Sequence, residues 1–385
     1  MKNEIILLDL IRLQSSQSVN SEDHRVEYEV TKYLRKFIKK YLPSFTLEEQ
    51  EVASGRHNLY IYNAQQVDLL FVGHMDTVPL GSGWTVNPLG EIKEGKIFGR
   101  GSADMKAGIV AILSALVHAE KSERIGVGAL FYVDEEYYFK GMKAFSEKYA
   151  TTISPKLIVD PEPTQGKLRN AVRGISEICV EIKGLGGHAA KPNSGISAYR
   201  GLDKAIEQIE RYLSDKKNSI LGFPTLNVAK VECGSLQGFD KTGEPIFGMI
   251  GNVIPDYCKA LLEVRMVPNV NSEGLIEQIE RGVESAGCTI QTMKVNMNLG
   301  SFVTKKKDLK LVEEVQKEVM GIVDYQDPQQ GGYVDVQMLA QVCKCPVVIW
   351  GPSGENMHAP DEYVEISSLF EMEKVFTQLV DRLCR

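Results

Sequence analysis

Cysteine is scarce and scattered. The seven residues, at 179, 233, 258, 288, 343, 345 and 384, are odd in number, sit in apolar contexts and form no Cys-x-x-Cys pair. That argues against a disulfide framework and for buried free thiols, so a reducing cytoplasm is the expected location. Long apolar runs are missing as well: no stretch approaches the ~18–20 uninterrupted apolar residues of a membrane span. The opening MKNEIILLDLIRLQ places acids inside its apolar part and has no small-residue cleavage site, which reads as an amphipathic helix rather than a signal peptide. There is no surplus of positive charge either. Lys and Arg number 44 against 51 Asp and Glu, a formal net charge of -7, so neither nucleic acid nor a membrane surface is an expected partner. The basic run RKFIKK at 35–40 interleaves apolar residues at helical spacing and reads as a solvated helix face.

What is present is an α/β pattern interrupted once. At 385 residues, two domains are the default expectation. Two helical patterns fill residues 1–42, and in the second Val26, Val30, Leu34, Phe37 and Tyr41 recur at helical intervals. Strands are expected at 47–52, 58–62, 68–72, 126–133 and 156–159, with an apolar helix from about 106. Strands alternating with helices, each strand ending in polar residues, describe a sheet whose site lies at the strand ends. Near 175 the order becomes strand 175–183, helix 197–213, strands 226–232 and 257–267, helix 272–284 and strand 289–295, a ferredoxin-like β-α-β-β-α-β. Both of its helices contain IEQIER, at 206–211 and 276–281, which two helices covering one sheet face can reach by convergence. The α/β pattern then resumes, with helices at 309–320 and 366–384, a segment 331–342 that begins as GGYVD and becomes helical, and a strand at 346–350. The expected organisation is a catalytic domain in two parts, 1–174 and 299–385, with 175–298 inserted.

Residues 71–79, FVGHMDTVP, organise the chemistry. His74 and Asp76 are two apart at the end of an apolar run, so in a strand they share a face. A carboxylate holding the second ring nitrogen is how metal sites orient a histidine, although an ordinary hydrogen-bonded pair has the same spacing. Other strand ends and glycine-rich turns carry Asp104, Glu135 and Glu136, Asp160 and Glu162, and His358. Carboxylates massed at one sheet edge repel one another unless cations compensate. Two histidines and several carboxylates without cysteine suit zinc, with cobalt or manganese as alternatives. Two divalent ions with Asp104, Glu136 and Glu162 as ligands, and a hydroxide between them, balance in charge.

HMDTVP, GRGSADMKAG, DEE at 134–136, EPT at 162–164, GLGGHAA and NVIP together resemble the dinuclear-zinc aminoacylase and carboxypeptidase family. That family includes acetylornithine deacetylase and succinyl-diaminopimelate desuccinylase, and the resemblance spans nearly the whole chain. It implies a zinc-exopeptidase-like mixed-sheet catalytic domain with an inserted ferredoxin-like lid and dimerisation domain, acting as a homodimer. It further implies that His74 and Glu162 hold one metal, Glu136 and His358 the other, and that Asp104 bridges both, with a cis bond to Met105. Asp76 would orient His74, and Glu135 would be the general base that activates a water between the metals. His188 would reach the partner's site to steady an oxyanion, and Asn252 and Arg265 would bind substrate.

The family has Gly where this chain has Pro161, preceded by Asp160, so Asp160 and Glu162 both qualify as ligand; alignment on EPT favours Glu162, with ligand geometry as the arbiter. His188 on a simple exposed turn, and Arg265 merely paired with Glu263, are the bland alternatives. The stretch GPSGENMHAPDEYVEI is closest to acetylornithine deacetylase, which implies hydrolysis of an N-acyl amino acid. Desuccinylation or dipeptide cleavage would use the same metals. A metal-dependent binding protein is the reading outside enzymes, and an intact Glu135 argues against it.

Overall fold

The computed structural model describes residues 2–16, 26–149 and 151–385. It divides into a larger unit, Met1–Asn170, Thr304–Asp327 and Val334–Arg385, and a smaller one, Ala171–Val303 with Pro328–Tyr333. The crossings thus lie outside the 174/175 and 298/299 positions expected from sequence. The cause is a short antiparallel pair, Ala171–Val172 with Phe302–Val303, which extends the smaller unit at both chain entries.

In the larger unit six strands run in the order Thr46–Ala53, Arg56–Tyr62, Val127–Tyr132, Leu69–His74, Leu157–Asp160 and Val347–Ile349. The last four are mutually parallel and the first two antiparallel. All four parallel strands therefore end at one edge. Leu69–His74 is buried along its whole length, as a central parallel strand requires. Its Leu69 and Phe71 join the main core, where the Phe71 and Phe376 rings lie 5.0 Å apart. On the opposite face Tyr60 packs against Phe145 and Tyr149 of the helix Lys140–Tyr149. That helix was not expected: its apolar Met142, Phe145 and Tyr149 are spaced for one buried stripe, but charged residues dilute the pattern.

Helix Ala107–Lys121 has no polar face because it is covered all round, by Ile366–Leu383 and Asn3–Arg12 among others. Ser102–Lys121 is long and apolar enough to cross a membrane, yet it is mostly buried inside the protein, so it is a core helix. Each of its fully buried leucines and isoleucines contributes about 1.5–3 kcal/mol of transfer free energy. The segment 331–342 becomes helical after its opening GGYVD, as expected, with the helix running from Gln337 to Cys343. The GGYV stretch before it is not helical.

The smaller unit is an antiparallel sheet in the order Thr225–Gly234, Tyr257–Met266, Gly174–Lys183, Thr289–Leu299. Its helices, Ala198–Leu213 and Ser272–Ser285, pack on each other closely enough that a Cβ on Gly282 would collide with the backbone of Ala205. Ile209 and Ile279, the same position of the two IEQIER segments, are both buried in this core. That shared burial demand accounts for the repeated hexapeptide. All seven cysteines are free.

Candidate metal and catalytic site

The edge where the parallel strands end gathers the acids and histidines. His74, the last residue of its strand, is buried. Its Nε2 lies 3.0 Å from Asp104 Oδ1 and 3.3 Å from Glu162 Oε1. The other oxygen of Asp104, Oδ2, lies 3.3 Å from His358 Nε2, which is itself 3.2 Å from Glu136 Oε2. Asp104 therefore offers one oxygen to each of two groups: His74, Asp104 and Glu162, and Asp104, Glu136 and His358. In each group the ligand atoms lie within 4.8 Å of one another. His74, Glu135 and Glu136 form a third, overlapping group.

The charges fit a cationic occupant. Burial raises the Glu162 carboxyl to about 7, with the charge of Asp104 adding to the effect and His74 opposing it. Burial likewise raises Glu136, against a hydrogen bond from His358. Glu135 goes up well above the carboxylate range through burial, with Asp335, Glu162 and Glu136 adding and His74 opposing. Burial would raise Asp104 too, but hydrogen bonds from His358 and His74 outweigh it and hold the acid ionised. His358, hydrogen-bonded to Asp104 and Glu136, is pushed up to about 10. Glu136 Oε1 is buried without a hydrogen-bond partner, which a native structure rarely leaves unexplained. Two imidazoles and three carboxylates with ligand atoms converging suit a pair of divalent ions of the zinc type.

Several residues hold this arrangement in place. Asp104 sits on the turn Ser102–Lys106, and its peptide bond to Met105 is cis. The buried carboxylate of Glu362 accepts hydrogen bonds from the backbone amides of Gly101, Ala103 and Asp104 at 3.0, 3.0 and 3.1 Å, and from Arg100 at 2.6 Å. Sequence reasoning did not single out Arg100 or Glu362, which lie 262 residues apart in the chain. Asp76 differs in detail from its expected task. His74 Nδ1 meets the backbone carbonyl of Asp76 at 3.0 Å, while the nearer carboxylate oxygen is 3.6 Å away. The carboxylate instead accepts from the amides of Glu135 and Glu136, both at 3.1 Å, because it curls from one strand end onto the next.

Glu162, not Asp160, falls in the ligand groups. Asp160 still lies in the strand and is buried, with neither carboxylate oxygen hydrogen-bonded. Gly351 passes so close that a Cβ would collide with the carbonyl oxygens of Pro161 and Glu162. Thr164 Oγ1 fixes that crossing by accepting from the Gly351 amide at 3.1 Å. A second acid absent from the sequence reading is Asp335, which accepts from the Tyr132 hydroxyl at 2.8 Å and is raised to about 8 by burial.

The remaining expected residues lie in the smaller unit. His188 and Asn252 are exposed and adjacent: His188 bridges Val253, and the Ala189 amide donates to the Asn252 carbonyl at 2.8 Å. Arg265 donates through Nε to Glu263 at 2.9 Å, the pairing weighed from sequence, and its guanidinium lies 5.1 Å from the Tyr333 ring centre.

Residues 70–382 match the model of Peptidase family M20/M25/M40. The succinyl-diaminopimelate desuccinylase of Acidiphilium cryptum (strain JF-5) is 27% identical over 328 residues, covering 82% of this chain and 83% of that protein. The acetylornithine deacetylase of Photorhabdus laumondii subsp. laumondii is 26% identical over 360 residues, covering 88% and 87%. Among solved structures, the aminopeptidase PepT from Bacillus cereus ATCC 10987 superposes with a TM-score of 0.75 at 20% identity, over 99% of this chain and 98% of that one. That likeness extends the fold to the full chain.

Proposed function

The chain belongs to peptidase family M20/M25/M40 and is a metal-dependent hydrolase of C–N bonds, and on that premise we propose that it hydrolyses an N-acyl amino acid. The observation that carries the reading is Asp104, whose two oxygens face two separate histidine–carboxylate groups. His74 and Glu162 would hold one divalent ion, Glu136 and His358 a second, and Asp104 both; zinc suits these donors best, with cobalt or manganese able to substitute. Such a pair, when bound, polarises an amide carbonyl and makes water nucleophilic near neutral pH.

Glu135 takes the proton from the attacking water and delivers it to the departing amine. The acyl carbon gains the hydroxyl, the C–N bond breaks, and a carboxylate and a free amino acid result. Its raised proton affinity suits a group that must accept a proton and then release it. Asp76 sets the backbone of Glu135 and Glu136 and orients His74 through its carbonyl. From the smaller unit, His188 reaches the partner subunit's site to steady the developing oxyanion, and Asn252 and Arg265 take the substrate. Arg265 spends Nε on Glu263 and offers its terminal nitrogens to the amino-acid carboxylate.

We place the protein in the cytoplasm, which suits its seven free thiols. A homodimer through the smaller unit, which we read as a lid and dimerisation domain, accounts for the exposed apolar side chains of Val228, Val231, Phe239, Ile246, Met249 and Ile250 on and beside its edge strand.

Metal analysis and turnover of Glu135→Gln test the central assignment. Two equivalents of metal should remain while kcat falls by about 10²–10⁴-fold; near-normal turnover would sink it. The relatives divide between succinyl and acetyl groups, so a panel of N-succinyl, N-acetyl and dipeptide substrates identifies the acyl group. Turnover of dipeptides alone would overturn the N-acyl reading.

A further inference from the structure

Asp134 opens the DEE segment, and nothing so far gives it a task. It is buried and adopts a left-handed backbone, φ 68°, between the strand Val127–Tyr132 and the acids Glu135 and Glu136. A non-glycine residue keeps that conformation only where its surroundings hold it. The surroundings here are ionic. Arg56, the first residue of the strand Arg56–Tyr62, is nearly buried and directs its guanidinium to two carboxylates at once. Its Nε donates to Glu27 Oε2 at 2.8 Å and its second terminal nitrogen pairs with Glu27 Oε1, while the first donates to Asp134 Oδ1 at 3.0 Å. Glu27 Oε1 also accepts from the Asp134 amide at 3.3 Å, and Asp134 Oδ2 from the Lys140 amide at 3.3 Å.

The turn bearing Glu135 and Glu136 is therefore gripped from two sides. Asp76 holds the amides of Glu135 and Glu136, and the Glu27–Arg56 pair holds the residue before them. We propose that Arg56, backed by Glu27, is a positioning residue: by locking Asp134 it sets where the carboxylates of Glu135 and Glu136 project. Arginine is required because its planar fork spans two carboxylates on different edges, whereas an ammonium is a point charge. The role rests on the reading of Glu135 as base and Glu136 as ligand, both of which touch the reacting groups, while Arg56 touches neither.

Arg56→Lys keeps the charge and loses the fork. In the full-length protein, the variant should unfold cooperatively and keep one metal equivalent at wild-type affinity. The equivalent that depends on Glu136 should weaken by about 10–100-fold, the range for lost outer supports of metal ligands. With both metals saturated, kcat should fall by about 100-fold with KM within a few-fold, as a base displaced by a fraction of its reach would give. Asp134→Asn, which keeps an acceptor for Arg56 but not the charge, should move both readouts the same way and less far. If Arg56→Lys does not fold, Asp134→Asn decides the matter. Two metals bound at wild-type affinity together with full turnover, in whichever variant folds, would overturn the proposal. Metal affinity does not depend on Glu135 being the base, so a failed Glu135→Gln test leaves this result readable.

Discussion

Lys106, two residues after Asp104, is fully buried and donates to the carbonyl of Leu13 at 2.9 Å. Burial pushes its ammonium down to about 7, with the charges of Glu362 and Asp76 pulling the other way. In the unfolded chain the same group titrates near 10.5. Between those values the unfolded state binds the extra proton, so this residue's contribution makes stability rise with pH, and below about 7 it no longer depends on pH. Relative to Lys106→Met, the wild type should gain up to about 1.4 kcal/mol per pH unit across that window. Denaturant titrations of both proteins from pH 7 to 10 measure it, and a constant difference would mean that Lys106 stays charged on its carbonyl partner. Glu362 gives a second residue-scale prediction. Glu362→Ala strands the amides of Gly101, Ala103 and Asp104 and the guanidinium of Arg100. Metal affinity should fall by about 10–100-fold, measured by competition with a chelating dye.

At the scale of elements, the site depends on strand ends being brought to one edge and on close crossings between the loops that leave them. Gly108 opens the core helix directly against Pro161, where a Cβ would lie 2.6 Å from the carbonyl oxygen; Gly351 crosses the next residue, Glu162. Gly351→Ala should cost about 1–3 kcal/mol in a denaturant titration, as overpacking of a tight contact does. It should also weaken metal binding, because the chain that must yield carries Glu162. These elements differ in how readable they are from residues alone. His74, Asp104, Glu136, Glu162 and His358 stood out in the sequence because side chains able to ligate a metal follow apolar strands or glycine-rich turns, and the structure brings them together. The buried strands were legible through length and apolarity, and the ferredoxin-like order through alternation. The helix Lys140–Tyr149 was not, since its stripe is broken by lysines and a glutamate. Nor were Arg56, Arg100 and Glu362, whose partners are 29 to 262 residues away in the chain. A charged residue buried by a distant partner looks, in sequence, like one facing water.

For the whole molecule, the candidate metal groups among the described residues all belong to the larger unit, and the smaller unit has a separate core of its own. Removing cations from the larger unit leaves Asp104, Glu136 and Glu162 facing one another beside the two imidazoles. Repulsion among buried carboxylates then acts on the strand ends that present them, while bound metal stabilises only the fold that holds it. Hydrogen exchange with and without a chelator should therefore differ at residues 73–76, 101–106 and 133–137. The segments Gly174–Lys183 and Tyr257–Met266, the inner strands of the other sheet, should exchange at unchanged rates. Faster exchange spread evenly over both cores would mean that the metals support the whole chain, and that the smaller unit has no stability independent of the site.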